Sequence, residues 1–223
     1  MPKLDAIRTC SLRELEALKR RRRMEYRRLL ADEVARAKAG KLMTQARAER
    51  LLAYHDSYSR LAEIIRFSGI MGRRSWLRLL GEHWSTLDKL FAWHDALWRL
   101  LPGRATLLLM NEDERAAWRE LSNIVTIYRG CSEVNVDGLS WSLCPEIAGR
   151  FPTLARYKPP NGRRPLLVTA EVPKQRVTAV KLDRGEQEII TLHARMVVAE
   201  HLTPDGKSNT GTVHSPRQGE GAR

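Results

Sequence analysis

The stretch Tyr128–Phe151, YRGCSEVNVDGLSWSLCPEIAGRF, decides how the second half of this 223-residue chain is read. It continues a short β-branched run, NIVTIYRG, that ends in Arg129 and Gly130. A Gly-containing loop follows, then Ser140 and Ser142 flank Trp141, and Pro145 opens a helical pattern, CPEIAGRFPTLARY. In an extended segment a spacing of two puts both serine hydroxyls on one side. The β-branched runs downstream, PLLVTAEVP, RVTAVKL, QEIITL and MVVAEHL, are bounded by Pro, Gly or charged turns and read as strands.

Upstream the character is helical. Ser11 followed by Glu14 is the capping-box pattern, and Leu12, Leu15, Leu18, Leu29 and Leu30 form a partial apolar stripe that Gly40 ends. A second helical run covers Leu42–Phe67. A third, rich in Trp and Leu, covers Trp76–Leu101 and reads as core packing at helical spacing. Asn111 caps a short acidic-led helix, EDERAAWRELS. The expected fold class is therefore α+β: a helical region at 1–118, a β-dominated region at 119–202, and a polar Gly/Ser/Pro-containing tail at 203–223.

Charge is distributed unevenly. The net formal charge is +13, and residues 1–50 carry fifteen Lys/Arg against seven Asp/Glu. Arg119–Leu202 carries twelve against nine. Lys19–Arg28 is a basic cluster on a helix, a solvated face or a contact for RNA, DNA or an acidic partner. Three cysteines without a CxxC spacing argue against a disulfide framework and a zinc site. His83, His94 and His193 have no ligand spacing, so no metal is expected. MPKLDAIRTC has no apolar h-region and no run is long enough to span a bilayer; the expectation is a cytoplasmic protein without signal peptide or membrane contact.

The chemistry-bearing residues lie in the second half. Glu186 and Glu188 flank Gln187, and on a strand they share a face; DRGEQE also reads as an exposed turn. Arg129 has the planar fork that suits phosphate, or it faces solvent or pairs with an acid. Arg163 and Arg164, in KPPNGRRP, read as a solvated loop. In sequence order, Arg on one strand, Ser-x-Ser on the next and Glu-x-Glu on a later one resembles the Arg-Ser-Glu class of mono-ADP-ribosyltransferases, most of all the small ones carried by bacteriophages and bacteria. The motifs are YRG at 128–130, GLSWS at 138–142 with AGRF at 148–151, and RGEQEI at 184–189, across roughly residues 121–202. The family's middle residue between the serines is often Thr; here it is Trp141.

The resemblance implies a split β-sandwich at 119–202 and NAD as substrate. It implies that Arg129 holds the diphosphate and ribose, that the Gly130 backbone meets the nicotinamide carboxamide, and that Phe151 packs on the nicotinamide ring. It implies that Ser140 orients the catalytic Glu188, that Ser142 supports the same strand, and that Glu186 engages the acceptor. Glu-x-Glu goes with arginine acceptors in this family, so the expected acceptor is an arginine on a protein. The competing expectations are transfer to RNA or DNA, NAD hydrolysis without transfer, and a non-enzymatic basic nucleic-acid-binding protein.

Overall fold

In the computed structural model, residues 11–88, 90–154, 164–185 and 187–202 are described. The chain divides into two compact units, Met1–Trp76 and Leu77–Arg223.

In the first unit, α1 spans Leu12–Lys38, α2 Gln45–Leu52 and α3 Arg60–Phe67. The capping box at the start of α1 forms as expected: the Ser11 side chain accepts from the Glu14 N–H and Glu14 reaches back to the Ser11 N–H at 2.8 Å. Gly40 ends the helix region with φ of 78°, a conformation that costs glycine little. The run at 42–67 is two helices rather than one. Asp56 accepts from the Ser59 N–H at 2.9 Å and the Ser59 hydroxyl at 2.7 Å, a local turn that competes with helix. Leu51, Leu52, Leu61, Ile64 and Phe67 form the core, and the buried Trp76 indole donates to the Ile64 carbonyl at 2.6 Å. No residue of α1 is buried.

In the second unit, α4 (Arg73–His83, begun in the first) is followed by a 3-10 turn at Trp84–Thr86, a second at Leu90–Trp93, and α5 at His94–Leu100. The single helix expected over 76–101 is thus interrupted. The Thr86 hydroxyl donates to the His83 carbonyl at 2.7 Å, and Ser85 donates to Asp183, so this turn is held against the chain far downstream. α6 (Glu112–Glu120) has the capping box of Asn111 and Glu114. α7 (Pro145–Arg150) starts at the proline, whose missing N–H costs nothing there.

Among the described residues, six strands form one antiparallel sheet: β1 Ile124–Cys131, β2 Ser140–Ser142, β3 Leu166–Pro173, β4 Val177–Lys181, β5 Glu188–Thr191 and β6 Arg195–His201. Their order is β4-β5-β2-β1-β3-β6. β3 alternates buried and half-buried residues, with Leu166, Val168, Ala170 and Val172 inward. β4 and β5 are buried at every position, the polar Thr178, Lys181, Glu188 and Thr191 included. β1 pairs with β3 along all eight of its residues, but with β2 at one register pair, Tyr128↔Ser142. The sheet is therefore two trios, β4-β5-β2 and β1-β3-β6, joined at a narrow seam. A helical N-terminal region followed by this sheet is an α+β chain.

Candidate active site

One row of residues crosses the seam. The register places Lys181 opposite Glu188, Glu188 opposite Ser142, and Ser142 opposite Tyr128. Directly opposed residues project from the same face. Ser140 lies two residues from Ser142 on that face, diagonal to Glu188.

Glu188 is the first residue of β5 and is 8% exposed. Its Oε1 accepts from the Ser140 hydroxyl and from the Trp84 indole Nε1 at 2.8 Å. Two donors on one carboxylate oxygen fix the side-chain rotamer and aim the group. The backbone just before it is tightly turned: Gly185 has φ of 68° and Gln187 has φ of 44°. A left-handed conformation at a non-glycine residue is strained and persists only where its surroundings hold it. Here the Gln187 carbonyl accepts from the Leu143 N–H at 3.1 Å, which ties the turn to the end of β2. Strand geometry begins at Glu188, and Glu186 lies outside the described residues.

Arg129 organises the loop between β1 and β2. Its Nε donates to the Asn135 carbonyl at 3.1 Å, and its Nη1 donates to the Ser140 carbonyl. A β-carbon at Gly138 would stand 2.0 Å from Nη2, so the loop wraps the guanidinium only because position 138 is glycine. Asn135 in turn accepts from the Ser132 N–H at 2.8 Å, and the Trp141 indole donates to the Gly138 carbonyl at 2.8 Å. The chain reaches Ser140 through a cage built on Arg129. Burial pulls the Arg129 pKa below its ordinary value, against the opposing pull of Cys131, Glu188 and Asp137. Nη2, the remaining nitrogen of the fork, packs against Gly138.

Gly130 sits where α7 crosses β1. A β-carbon there would lie 1.9 Å from the Ala148 carbonyl oxygen and 2.7 Å from Pro152 Cδ. Its first requirement is therefore the close approach of α7. The 3-10 turn that follows α7 starts at Phe151, which is half-buried. Ser142 is buried, and its hydroxyl accepts from the Cys144 N–H at 3.1 Å, which supports the β2–α7 corner. Burial pushes the Cys131 thiol up to about 11, so it is protonated near neutral pH. Arg163 lies outside the described residues, and Arg164 is exposed.

Arg129, Ser140 and Glu188, apart in sequence, are thus linked through Ser140: its carbonyl holds the arginine and its hydroxyl holds the glutamate. Trp84 is the residue that sequence reading did not assign to this site. It falls within a Trp/Leu stripe at helical spacing, where nothing distinguishes it from the core tryptophan Trp76. The nearest signal was SerThr after it, which breaks the helix. No family model, curated protein or solved structure matches the chain.

Proposed function

We propose that the chain is an NAD-dependent mono-ADP-ribosyltransferase of the Arg-Ser-Glu class, which moves ADP-ribose from NAD to an arginine on a target protein and releases nicotinamide. The observation that carries this reading is the double grip on Glu188 by Ser140 and Trp84, with Ser140 held in turn by Arg129. The two-trio sheet, joined at Tyr128↔Ser142, fits the family's split sandwich.

The reaction breaks the bond between ribose C1′ and the nicotinamide nitrogen. The bonding pair leaves with nicotinamide, and positive charge develops on the sugar, as in glycoside hydrolysis. A carboxylate already aimed by two donors stabilises that charge without reorganising at the moment of bond cleavage. Glu188 is that group, and in this reading its carboxylate also accepts from the ribose 2′-hydroxyl. In this reading the diphosphate lies beside Arg129, and the nicotinamide ring lies against Phe151 beside Gly130. The acceptor guanidine nitrogen then bonds C1′ and gives up a proton. Glu186 positions that guanidinium and takes the proton.

The test is incubation of the purified protein with adenylate-labelled NAD and a bacterial lysate, followed by protease or nuclease digestion. Label that requires Glu188, is lost to protease and is labile to hydroxylamine supports arginine transfer. Label lost to nuclease moves the acceptor to nucleic acid. Free ADP-ribose without labelled macromolecule makes the protein a hydrolase.

A further inference from the structure

The basic half of the chain holds a second feature that the reaction at Glu188 does not use. Lys19, Arg23 and Arg27 recur every four residues along α1, on one ridge. Like charges at this spacing destabilise a helix by a few tenths of a kcal/mol per pair, about as much as opposite charges stabilise it. None of the three, nor Lys38 further along, has an ion-pair or hydrogen-bond partner among the described residues. Two nearby acids are engaged elsewhere. Glu33 pairs with Arg47 at 3.3 Å, and Glu63 holds Arg66 at 3.2 Å and the Tyr26 hydroxyl. Among the described residues the ridge Lys19–Arg23–Arg27 thus forms no ion pair.

Two connected grooves run beneath it. One, of about 230 Å³, is lined by Lys19, Arg22, Arg23, Tyr26, Tyr54 and His55. The other, of about 680 Å³, shares Arg23, Tyr26 and His55 and extends past Arg27 to Lys38 over an aliphatic floor that includes Leu30 and Val34. The aromatic rings meet at the junction: Tyr26 lies edge-on to His55 at 4.6 Å and tilted to Tyr54 at 6.0 Å. Arg22 stacks over Tyr54 at 5.6 Å and donates to the Ala53 carbonyl at 3.1 Å, so this end is rigid. Burial pulls the His55 pKa down, so this ring adds no charge to the rim at neutral pH. From Lys19 to Lys38 the ridge is roughly 28 Å long at 1.5 Å per residue.

We infer that this groove on Met1–Trp76 binds single-stranded nucleic acid, with phosphates on the Lys19–Arg23–Arg27–Lys38 rim and bases over the aromatic and aliphatic floor. A cationic rim alone suits any polyanion. A rim above an apolar, ring-bearing floor suits a strand whose bases are free to leave the stack, and excludes the bases of a duplex, which are paired inside it. The inference stands apart from the reading of Glu188.

The experiment is fluorescence anisotropy of the full chain with a labelled single-stranded RNA of ~12 nucleotides, across a salt series. The competitors are an abasic strand of equal length, the matching duplex, a polyphosphate of equal charge and an acidic helical peptide. The expected result is that the single strand binds best and that the abasic strand and polyphosphate bind at least about tenfold more weakly, since each stacked base contributes ~1–3 kcal/mol. Arg23→Gln and Arg27→Gln each lower the slope of log affinity against log salt by about 0.7. Both variants keep the wild-type circular dichroism and nicotinamide release, and the surface control Arg78→Gln leaves the salt slope unchanged. Equal binding of polyphosphate or abasic strand, a preference for duplex or acidic peptide, or loss by Arg78→Gln equal to that by Arg23→Gln overturns the inference.

Discussion

Trp84 Nε1 donates to Glu188 Oε1 at 2.8 Å across 104 residues of sequence, and both side chains are buried. The bond joins the turn after α4 to the first residue of β5. It makes the orientation of Glu188 depend on a residue outside the sheet. Trp84→Phe keeps most of the ring and removes the donor. We expect it to lose about 1.5–3 kcal/mol of stability in urea unfolding, the range for a hydrogen bond to a charged group. We expect kcat for nicotinamide release to fall about tenfold or more with KM for NAD little changed, because the lost contact aims the carboxylate rather than binding substrate. A change confined to KM would contradict the positioning role.

Ser140 supplies the second donor to the same oxygen. Ser140→Ala leaves the strand and its carbonyl, which still accepts from Arg129. Its effect should again fall on kcat, and a Trp84→Phe/Ser140→Ala double variant should be non-additive, because both donors restrain one group. Strict additivity of the two rate losses would mean that they act separately.

The buried pair Lys181–Glu114, at 2.9 Å, ties β4 to the start of α6. Glu114 also caps that helix through the Asn111 N–H at 2.8 Å. Lys181→Met strands a buried carboxylate and should destabilise the protein by about 3–5 kcal/mol. Lys181→Met/Glu114→Gln should recover part of that loss, because the uncompensated charge is gone while the amide oxygen still caps. Denaturant unfolding of the three proteins measures it. A double variant no more stable than the single would contradict the account.

Gly130→Ala places a methyl where the Ala148 carbonyl oxygen stands 1.9 Å away, against backbone that cannot rotate aside. The expected outcome is displacement of α7 and a loss of several kcal/mol, of the order that overpacking causes, with Gly130→Ser no better. Unchanged amide-exchange protection in α7 of Gly130→Ala would contradict this packing.

Burial raises Cys131 from the ordinary thiol value to about 11. The folded state holds the proton where the unfolded chain has released it, so this stability is fully present below about pH 9 and is lost as pH rises toward 11. Cys131→Ser should flatten that part of the stability curve. At pH 8, alkylation should modify Cys144 before Cys131, which mass spectrometry of digested protein reads directly.

Much of the fold was legible because its signals are local. The box Ser11–Glu14, the Asn111 cap, the stop at Gly40, the proline start of α7 and the β-branched runs all form where short-range chemistry puts them. The helix interruptions were not legible. The break at Asp56–Ser59 depends on side-chain bonds that compete with a sound apolar stripe. The break at Trp84–Thr86 is held partly by Asp183 and Glu188, about a hundred residues on. In the site, the order Arg, Ser-x-Ser, Glu brought forward Arg129, Ser140 and Glu188, which the fold links. It could not show that Arg129 is largely engaged with the carbonyls of Asn135 and Ser140, because such bonds leave no mark on residue type. Nor could a spacing of two reveal that the backbone turns at Gln187, just before strand geometry begins at Glu188.

The central claim is that Glu188, aimed by Ser140 and Trp84, drives cleavage of NAD. The most direct measurement is release of nicotinamide from NAD by the purified wild-type protein and by Glu188→Gln, at matched folding by circular dichroism and with an arginine-rich acceptor peptide present. The account predicts release by wild type and a fall of about 10²–10³-fold in kcat for Glu188→Gln, the scale of losing one preorganised electrostatic group. Equal release by both proteins, or none by a folded wild type, would contradict it.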